Sequence, residues 1–210
     1  MSASFVYSGM VDEYSSVAAP VQAETKVRGS KFLAFLAPAG TPEAALREVE
    51  SIRKTYHDAT HHCFAYRIGA GGEQERFSDA GEPSGTAGRP ILLALQHARL
   101  SDAVLVVTRY FGGTKLGVGG LRRAYAGAAE AAIQRAGRVQ RILMEQLQVA
   151  VPGELLGDVI SAAARAGAKV LSTDYGAEAL LTIQMRRSRV EEIRRMLVDR
   201  TSGKARIVEP

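Results

Sequence analysis

Residues 106–125 read Val-Val-Thr-Arg-Tyr-Phe-Gly-Gly-Thr-Lys-Leu-Gly-Val-Gly-Gly-Leu-Arg-Arg-Ala-Tyr. The run Val104–Val107 is continuous and apolar, which predicts a strand buried on both faces, and a helix is expected from Leu121 to about Ala136. Five glycines lie between the two elements. Glycine lets the backbone approach a ligand closely, and a helix start presents unpaired, partly positive N–H donors. The pattern therefore predicts an anion-binding strand, loop and helix.

The cations around this loop support the same prediction. The spacing matches neither the phosphate loop of nucleotide-binding proteins nor the Rossmann fingerprint, so it does not name a ligand. Arg122 and Arg123 are expected in the first helical turn, where positive charges oppose the helix dipole and a bound anion would relieve them. The predicted anion- or nucleic-acid-binding residues are Arg109, Gly112, Gly113, Lys115, Gly117, Gly119, Gly120, Arg122 and Arg123.

Positive charge is concentrated in the segment that holds the glycine loop. The formal net charge of the chain is +5. Residues 109–141 contain 7 basic and 1 acidic side chains, a net charge of +6, while residues 1–108 carry −2 and residues 142–210 carry +1. A local basic surface attracts polyanions such as RNA. The alternative is a solvated helix face whose arginines pair with acids elsewhere.

Composition limits the class of protein. The 210 residues are 46% hydrophobic and 23% charged, values typical of a soluble globular chain. Cys63 is the only cysteine, and the N-terminus has no signal-peptide pattern, so we expect a cytoplasmic protein without disulfides. No run approaches the roughly 18 apolar residues of a spanning helix, so no membrane is expected as a partner. We also expect no cofactor and no metal.

The order of elements indicates two domains. Lys31–Ala37 is predicted as a strand, Thr41 and Pro42 as the start of a helix, and residues 63–78 as a hairpin. After Arg141 the pattern restarts as β-α-β-β-α-β, the ferredoxin-like order. We therefore predict an α+β protein with domains at residues 1–141 and 142–210. Two helix signals are Gly137, expected just past a helix end, and a capping box at residues 188–191.

Residues 78–90 are rich in glycine, proline and small polar residues, which predicts a long loop ahead of a helix starting at Pro90. A pocket between this loop and residues 110–120 could hold a small anionic substrate. His57, His61, Asp79 or Glu82 could transfer protons there. The alternative for Asp79 and Glu82 is that they cap turns or hold Arg89 or Arg109. The pocket candidates are His57, His61, Cys63, Asp79, Glu82, Ser84, Thr86, Arg89 and Tyr110.

Two further readings concern the histidines and the cysteine. His57, His61, His62 and Cys63 are residue types that bind zinc. However, consecutive strand residues such as His62 and Cys63 point to opposite faces. A thiolate nucleophile at Cys63 is the other possibility, against a buried apolar role. We therefore assign neither a metal site nor a catalytic residue.

The motifs resemble one known family. His57-Asp58-Ala59 with His61 and Cys63, then Asp79 with Gly81 to Gly88, then Arg109 to Gly117 closely resemble the IMPACT/YigZ family. The resemblance runs from about Arg28 to Ala136, and the restart after Arg141 looks like the small second domain of bacterial YigZ-type members. Ala80 departs from the family, since many members have a second acid there.

This resemblance implies both a fold and a function. It implies a first domain similar to domain IV of elongation factor G and to a ribosomal-protein fold, and a second domain similar to that factor's domain V. Eukaryotic relatives act in translational control by binding protein, and bacterial members have no settled activity. Two hypotheses follow: a translation-linked module that docks on RNA, the ribosome or a translation-associated protein, and an enzyme for a small phosphorylated or otherwise anionic substrate.

Overall fold

The computed structural model describes residues 12–208. These residues divide into two compact units. The first unit is Tyr14–Arg141, and the second comprises residues 142–208 together with Asp12 and Glu13. Residues 1–11 and 209–210 of the two predicted domains lie outside the described residues. The chain is a mixed α/β protein, as the sequence predicts.

The first unit contains a five-stranded sheet, a two-stranded sheet and three helices. The larger sheet is antiparallel throughout, with strand order β2-β3-β6-β4-β5, and β1 pairs with β7 in the smaller one. In chain order the elements are β1 (Glu13–Val17), β2 (Val21–Val27), β3 (Ser30–Pro38), α1 (Pro42–Thr55), β4 (His61–Ile68), β5 (Gln74–Ser78), α2 (Gly88–His97), β6 (Ala103–Tyr110), α3 (Gly117–Arg135) and β7 (Arg138–Ile142).

Helices cover both faces of the larger sheet. The central strand β6 sends Val104 and Val106 into an apolar cluster with α1, while Leu105 and Val107 join a separate cluster with α2 and α3. The prediction of a strand buried on both faces is confirmed. Helix α1 begins as expected, because Thr41 Oγ1 accepts a hydrogen bond from the backbone N–H of Ala44, three residues further on, at 3.2 Å. The anion-binding candidates and α1 therefore lie on opposite faces of this sheet.

The second unit is a four-stranded antiparallel sheet with two helices. Its strand order is β11-β8-β10-β9, and its elements follow the predicted order β-α-β-β-α-β. Leu181, Ile183 and Met185 alternate along the central strand β10 and form the core with the helices. The elements are β8 (Met144–Val151), α4 (Leu156–Arg165), β9 (Lys169–Tyr175), β10 (Ala179–Arg186), α5 (Val190–Arg200) and β11 (Arg206–Val208).

Two predicted helix starts are wrong in position. Helix α3 begins at Gly117, four residues before the expected Leu121, so three of the loop glycines are helical. Helix α2 begins at Gly88 rather than at Pro90, which shortens the loop between β5 and α2 to residues 79–87. Glycine has low helix propensity, so the pattern alone favours a loop at both positions. At α2 the buried Gly88, whose N–H donates to Asp79, begins the helix early.

The two predicted helix signals have different outcomes. Gly137 lies just past the end of α3 as expected, although its backbone is not left-handed, because the chain leaves the helix in extended backbone at Ala136 and continues into β7. The predicted capping box at residues 188–191 does not form, since Ser188 bonds Asp12 instead. The edge strands β1 and β2 and the exposed strand β7 are absent from the sequence prediction, because mixed polar residues give them no clear alternation.

Candidate functional site

The N-terminus of α3 is open to solvent. Residues 111–115 are exposed, and no side chain among the described residues caps the first turn. The first turn also contains no acidic residue. Gly113 and Gly117 adopt left-handed backbone with φ values of 85° and 71°, which glycine adopts without strain. The first backbone N–H groups of α3 therefore face the side from which an anion would approach.

Exposed cations surround this helix start. Lys115, Arg122 and Arg123 are all exposed, and within the described chain none of them forms an ion pair. Arg122 Nε donates a hydrogen bond to the carbonyl oxygen of Gly85 at 3.2 Å, which brings the loop 79–87 beside α3. We call the exposed group formed by residues 113–118, Arg122 and Arg123 the cationic helix start.

One electrostatic argument from the sequence needs correction. Arg122 and Arg123 lie in the second turn of α3 rather than in the first. The effect of the helix dipole falls off within the first turn, so these charges oppose it less than predicted. The uncapped N–H groups, rather than a conflict with the dipole, make the cationic helix start suitable for an anion.

The glycines of the loop have different structural roles. Gly112 packs on a backbone turn: a Cβ atom built on it would lie 1.9 Å from the carbonyl carbon of Gly29. This glycine serves a close approach of two chain segments, and its N–H donates to Ser30 Oγ at 3.2 Å, so its predicted contact with an anion stays a prediction. Gly119 and Gly120 lie in the first turn of α3, where Gly120 packs near the side chain of Leu116.

Arg109 is not a surface cation. Its side chain is only 6% exposed, and its Nη1 donates to Glu82 Oε1 at 2.6 Å. Its Nη2 donates to Ser30 Oγ at 3.3 Å, while its Nε has no hydrogen-bond partner in the part of the chain described. The predicted phosphate contact from Arg109 is therefore wrong, because the guanidinium compensates a buried carboxylate.

Asp79 organises the loop 79–87. Its carboxylate accepts hydrogen bonds from the backbone N–H groups of Gly85, Ala87 and Gly88 at 2.8, 2.9 and 2.9 Å. Burial raises the pKa of Asp79, but these backbone hydrogen bonds outweigh burial and hold the pKa below its usual value. A protein carboxylate thus occupies the start of α2, and Asp79 caps a turn as one of the two sequence hypotheses proposed.

Glu82, Tyr125 and Cys63 form a buried polar group beneath this loop. Tyr125 donates its hydroxyl hydrogen to Glu82 Oε1 at 2.8 Å, and Cys63 Sγ donates to the carbonyl oxygen of Asp79 at 3.0 Å. Burial raises the pKa of the Cys63 thiol to about 12 and the pKa of Tyr125 well above its usual value. The thiol therefore stays protonated at neutral pH, which does not suit a nucleophile.

The histidines take three different positions. His61 Nδ1 lies 2.9 Å from the carbonyl oxygen of Ala80, so this nitrogen carries the hydrogen, and Nε2 lies 4.0 Å from Glu82 Oε1. His62 Nδ1 bonds the Thr108 hydroxyl at 3.0 Å, and burial lowers the pKa of His62. His57 is exposed. Across residues 12–208, no three His, Cys, Asp or Glu side chains are placed to share a metal ion.

The remaining pocket candidates do not lie together at one site. Thr86 is buried and donates its hydroxyl to the carbonyl oxygen of Pro83 at 2.6 Å. Ser84 and Arg89 are exposed on the loop and on the first turn of α2. Tyr110 donates its hydroxyl to Asp58 Oδ1 at 2.8 Å. The structure gathers His61, Cys63, Asp79 and Glu82 around the loop and leaves the others outside this group.

Two residues that help to build this site are missing from the sequence prediction. Tyr125 lies in the helix predicted from Leu121 to about Ala136 but is not among the predicted site residues. A buried tyrosine hydroxyl needs a hydrogen-bond partner, and that requirement is the signal that points to a buried acid. Ser30 accepts from both Arg109 and the backbone of Gly112, at 3.3 and 3.2 Å. Nothing in the sequence around Ser30 indicates these contacts, which join residues far apart in the chain.

Fold and site together define a class of protein. The chain is a mixed α/β protein of two units, whose first unit presents a glycine-rich, uncapped helix start between exposed cations. Residues 28–133 match the Impact N-terminal domain, and residues 154–204 match the domain of unknown function DUF1949. The chain belongs to the IMPACT family.

Named relatives and a solved structure agree with this family. The chain is 33% identical over 193 residues to the IMPACT family member YigZ of Escherichia coli (strain K12), covering 91% of this chain and 95% of that protein. It is 39% identical over 150 residues to the IMPACT family member YvyE of Bacillus subtilis (strain 168), covering 71% and 69%. A crystal structure of a hypothetical protein is 31% identical, with a TM-score of 0.70, and covers 96% of this chain and 98% of that one.

Proposed function

We propose that this protein is a translation-linked binding protein that docks on RNA, within the ribosome or free, through the cationic helix start. A translation-associated protein with an acidic surface is the second kind of partner for the same surface. The IMPACT family is linked to translation regulation in general, which supports this assignment. We place the protein in the cytoplasm, where these partners occur. Among the described residues, no helix has both the length and the apolarity needed to cross a membrane.

The observation that carries the proposal is the uncapped start of α3. The protein fills the equivalent position on α2 with the Asp79 carboxylate, but no described carboxylate approaches Gly117. Unpaired N–H groups beside Lys115 and Arg123 favour a phosphate group, because helix dipole and side-chain charge act in the same direction. Phe111 and Val118, which are 49% and 55% exposed, add apolar contact area on either side.

The fold supports the same proposal. The strand order and the β-α-β-β-α-β sequence of the second unit support a ferredoxin-like domain. For the first unit we propose the fold of elongation factor G domain IV, a fold shared with a ribosomal protein. Fold alone does not define function, so this likeness adds to the cationic helix start and does not replace it.

The enzyme hypothesis has less support. Of its four proton-transfer candidates, Asp79 is held by backbone N–H groups and Glu82 by Arg109 and Tyr125. His61 bonds the carbonyl oxygen of Ala80, and His57 is exposed away from this group. Cys63 is a buried thiol with a raised pKa. The hydrogen bonds of Asp79 and Glu82 hold the loop 79–87 against α3, and they occupy both carboxylates.

Salt-dependent RNA binding tests the proposal. The affinity for a structured RNA hairpin should fall steeply with salt, and Lys115→Ala or Arg123→Ala should each reduce the slope of log affinity against log salt by about one unit. Lys54→Ala is the matched control, because this exposed lysine ends α1 on the opposite face of the sheet. Equal effects from all three substitutions would contradict the proposal, and ribosome co-sedimentation at two salt concentrations checks the partner.

A second substitution tests the helix start itself. Val118→Glu puts a carboxylate in the first turn of α3, where it should stabilise the helix by about 0.3–1 kcal/mol and weaken RNA binding. Val118→Gln is the control, since it changes the side chain with no added charge. RNA affinity that is equal in the two variants would contradict the role of the α3 N-terminus, while chemical denaturation measures the gain in stability.

A further inference from the structure

A cavity of ≈ 460 Å³ lies on the second unit, remote in sequence from the cationic helix start. Its volume is within the range of small-molecule pockets. Three arginines and two glutamates contribute to its walls, from β8, from the turn after β10 and from the first turns of α5. The lining residues are Glu145, Arg187, Ser188, Val190, Glu191, Arg194 and Arg195.

The charges in this cavity are poorly paired with one another. Arg187 Nε lies 3.8 Å from Glu145 Oε2, and Arg194 Nε lies 3.8 Å from Glu191 Oε1, both beyond hydrogen-bond distance. Arg194 Nε is nevertheless buried without a hydrogen-bond partner in the described chain. Arg195 forms no ion pair with any described residue. The Arg194 side chain is 38% exposed, and neither its Nη groups nor the Arg195 guanidinium donates a hydrogen bond to a described residue, so these groups can donate to a ligand.

One wall of the cavity already holds an anion of the protein. The backbone N–H of Ser188 donates to Asp12 Oδ1 at 2.7 Å, and the Ser188 hydroxyl donates to the other carboxylate oxygen. The hydrogen bond from the Ser188 side chain lowers the pKa of Asp12. Asp12 satisfies Ser188 and leaves the guanidinium groups of Arg194 and Arg195 without a carboxylate at hydrogen-bond distance.

We propose that this cavity binds a small phosphate monoester that carries hydroxyl groups, of the sugar phosphate class. Guanidinium groups match the geometry of phosphate oxygens and bind them with paired hydrogen bonds, so Arg194 and Arg195, with Arg187, hold the phosphate. Glu145 and Glu191 accept hydrogen bonds from the ligand's hydroxyl groups. The same two carboxylates repel the successive phosphates of a polynucleotide, which selects a small ligand over RNA at this position.

Calorimetric titration of the full chain with ribose 5-phosphate, inorganic phosphate and ribose tests the assignment. Ribose 5-phosphate should bind more tightly than inorganic phosphate, and ribose should not bind measurably. Arg194→Gln and Arg195→Gln should each weaken ribose 5-phosphate binding by about tenfold, because each removes charge-assisted hydrogen bonds. Arg200→Gln is the control, since this exposed arginine belongs to the same helix but not to the cavity.

Removing the charge of a carboxylate in the cavity should have the opposite effect, a gain in affinity for phosphate, and gives a second test. Glu145→Gln should tighten binding of inorganic phosphate several-fold, because Arg187 loses a nearby negative charge. Glu154→Gln, an exposed site paired with Lys204, should leave phosphate binding unchanged. Thermal unfolding of each variant shows whether the chain still folds. If Arg194→Gln does not fold, Arg195→Gln still tests the proposal.

Two outcomes would overturn the proposal. Equal loss of affinity in Arg195→Gln and Arg200→Gln would mean that phosphate responds only to overall charge. An RNA hairpin that binds this unit more tightly than ribose 5-phosphate, and loses affinity in Arg195→Gln, would assign the cavity to a polynucleotide. Neither result bears on the cationic helix start, whose variants at Lys115 and Arg123 are tested separately.

Discussion

Gly112 and Gly113 show how one residue type can serve close packing at one position and leave open space at the next. The turn between β2 and β3 has positive φ values at Arg28 and Gly29, 45° and 81°, as a tight hairpin requires. The backbone of Gly112 lies against this turn, and Ser30 Oγ accepts from the Gly112 N–H at 3.2 Å. Gly113, one residue later, has no described atom near its missing Cβ. The first of these neighbouring glycines anchors the loop, and the second leaves it open.

Gly112→Ala should lower the free energy of unfolding by about 3 kcal/mol, because its Cβ would meet backbone atoms that cannot move aside. Gly127→Ala is the control within the same stretch of chain. Gly127 is an exposed glycine inside α3, and a Cβ there would meet no described atom within 4 Å, so alanine should stabilise the protein by about 0.5–1 kcal/mol. Urea unfolding followed by circular dichroism gives both values, and effects of the same sign would refute the packing role.

The two helices beside the loop 79–87 differ in how their N-termini are satisfied. Helix α2 receives the Asp79 carboxylate, which bonds the N–H groups of Ala87 and Gly88. Helix α3 receives no described side chain, although it is the longer helix. The same physical requirement, partners for the first N–H groups, is met inside the protein for α2 and left to solvent or a ligand for α3.

The pH dependence of stability should report the Asp79 cap. Because the pKa of folded Asp79 is lowered, its contribution is present above the unfolded pKa and is lost as pH falls through the folded value. Asp79→Asn should therefore cost about 1 kcal/mol at neutral pH and should lose less stability on acidification below about pH 4 than the unmodified protein. Urea unfolding across this pH range measures the free energy of unfolding of both proteins. Parallel pH curves for the two proteins would show that the carboxylate does not act as the cap.

At the scale of the whole molecule, the two units differ in whether they are continuous along the chain. The first unit is one continuous stretch, Tyr14–Arg141, whereas the second joins residues 142–208 to residues near the other end of the chain. Asp12 makes this connection, since its carboxylate binds Ser188 and its carbonyl oxygen accepts from the N–H of Leu143 at 2.6 Å. The second unit is therefore completed by residues that the sequence prediction assigned to the first domain.

Asp12→Asn should loosen the second unit and leave the first unchanged. Hydrogen exchange should become faster at the backbone amides of residues 186–195, because the Ser188 donors lose a charged acceptor. Cys63 provides the internal control: it is buried in the first unit, and its slow reaction with a thiol reagent should not change. Glu13→Gln, which removes only an exposed ion pair with Arg186, should have little effect on either measurement.

Much of the fold follows from local patterns. Helix α1 begins at its predicted cap, β6 is buried on both faces, and the order of elements after Arg141 agrees with the prediction. These features depend on residues within a few positions of each other, where propensity and periodicity operate. The glycine and charge pattern predicts a candidate anion site between Arg109 and Arg123, and that site stays a prediction.

The sequence by itself determined the two-part organisation, the buried central strand and the concentration of positive charge around the glycine loop. Only the tertiary structure decided which of these groups face solvent. Arg109 turns inward to Glu82, 27 positions away, and Asp12 reaches Ser188 across 176 positions. Such partners are set by how the sheets and helices pack, and the buried Arg109 charge in particular requires a counter-charge wherever the fold brings one close. Lys115 and Arg123 have no counter-charge among residues 12–208 and lie exposed at the surface, where we propose that an external anion binds.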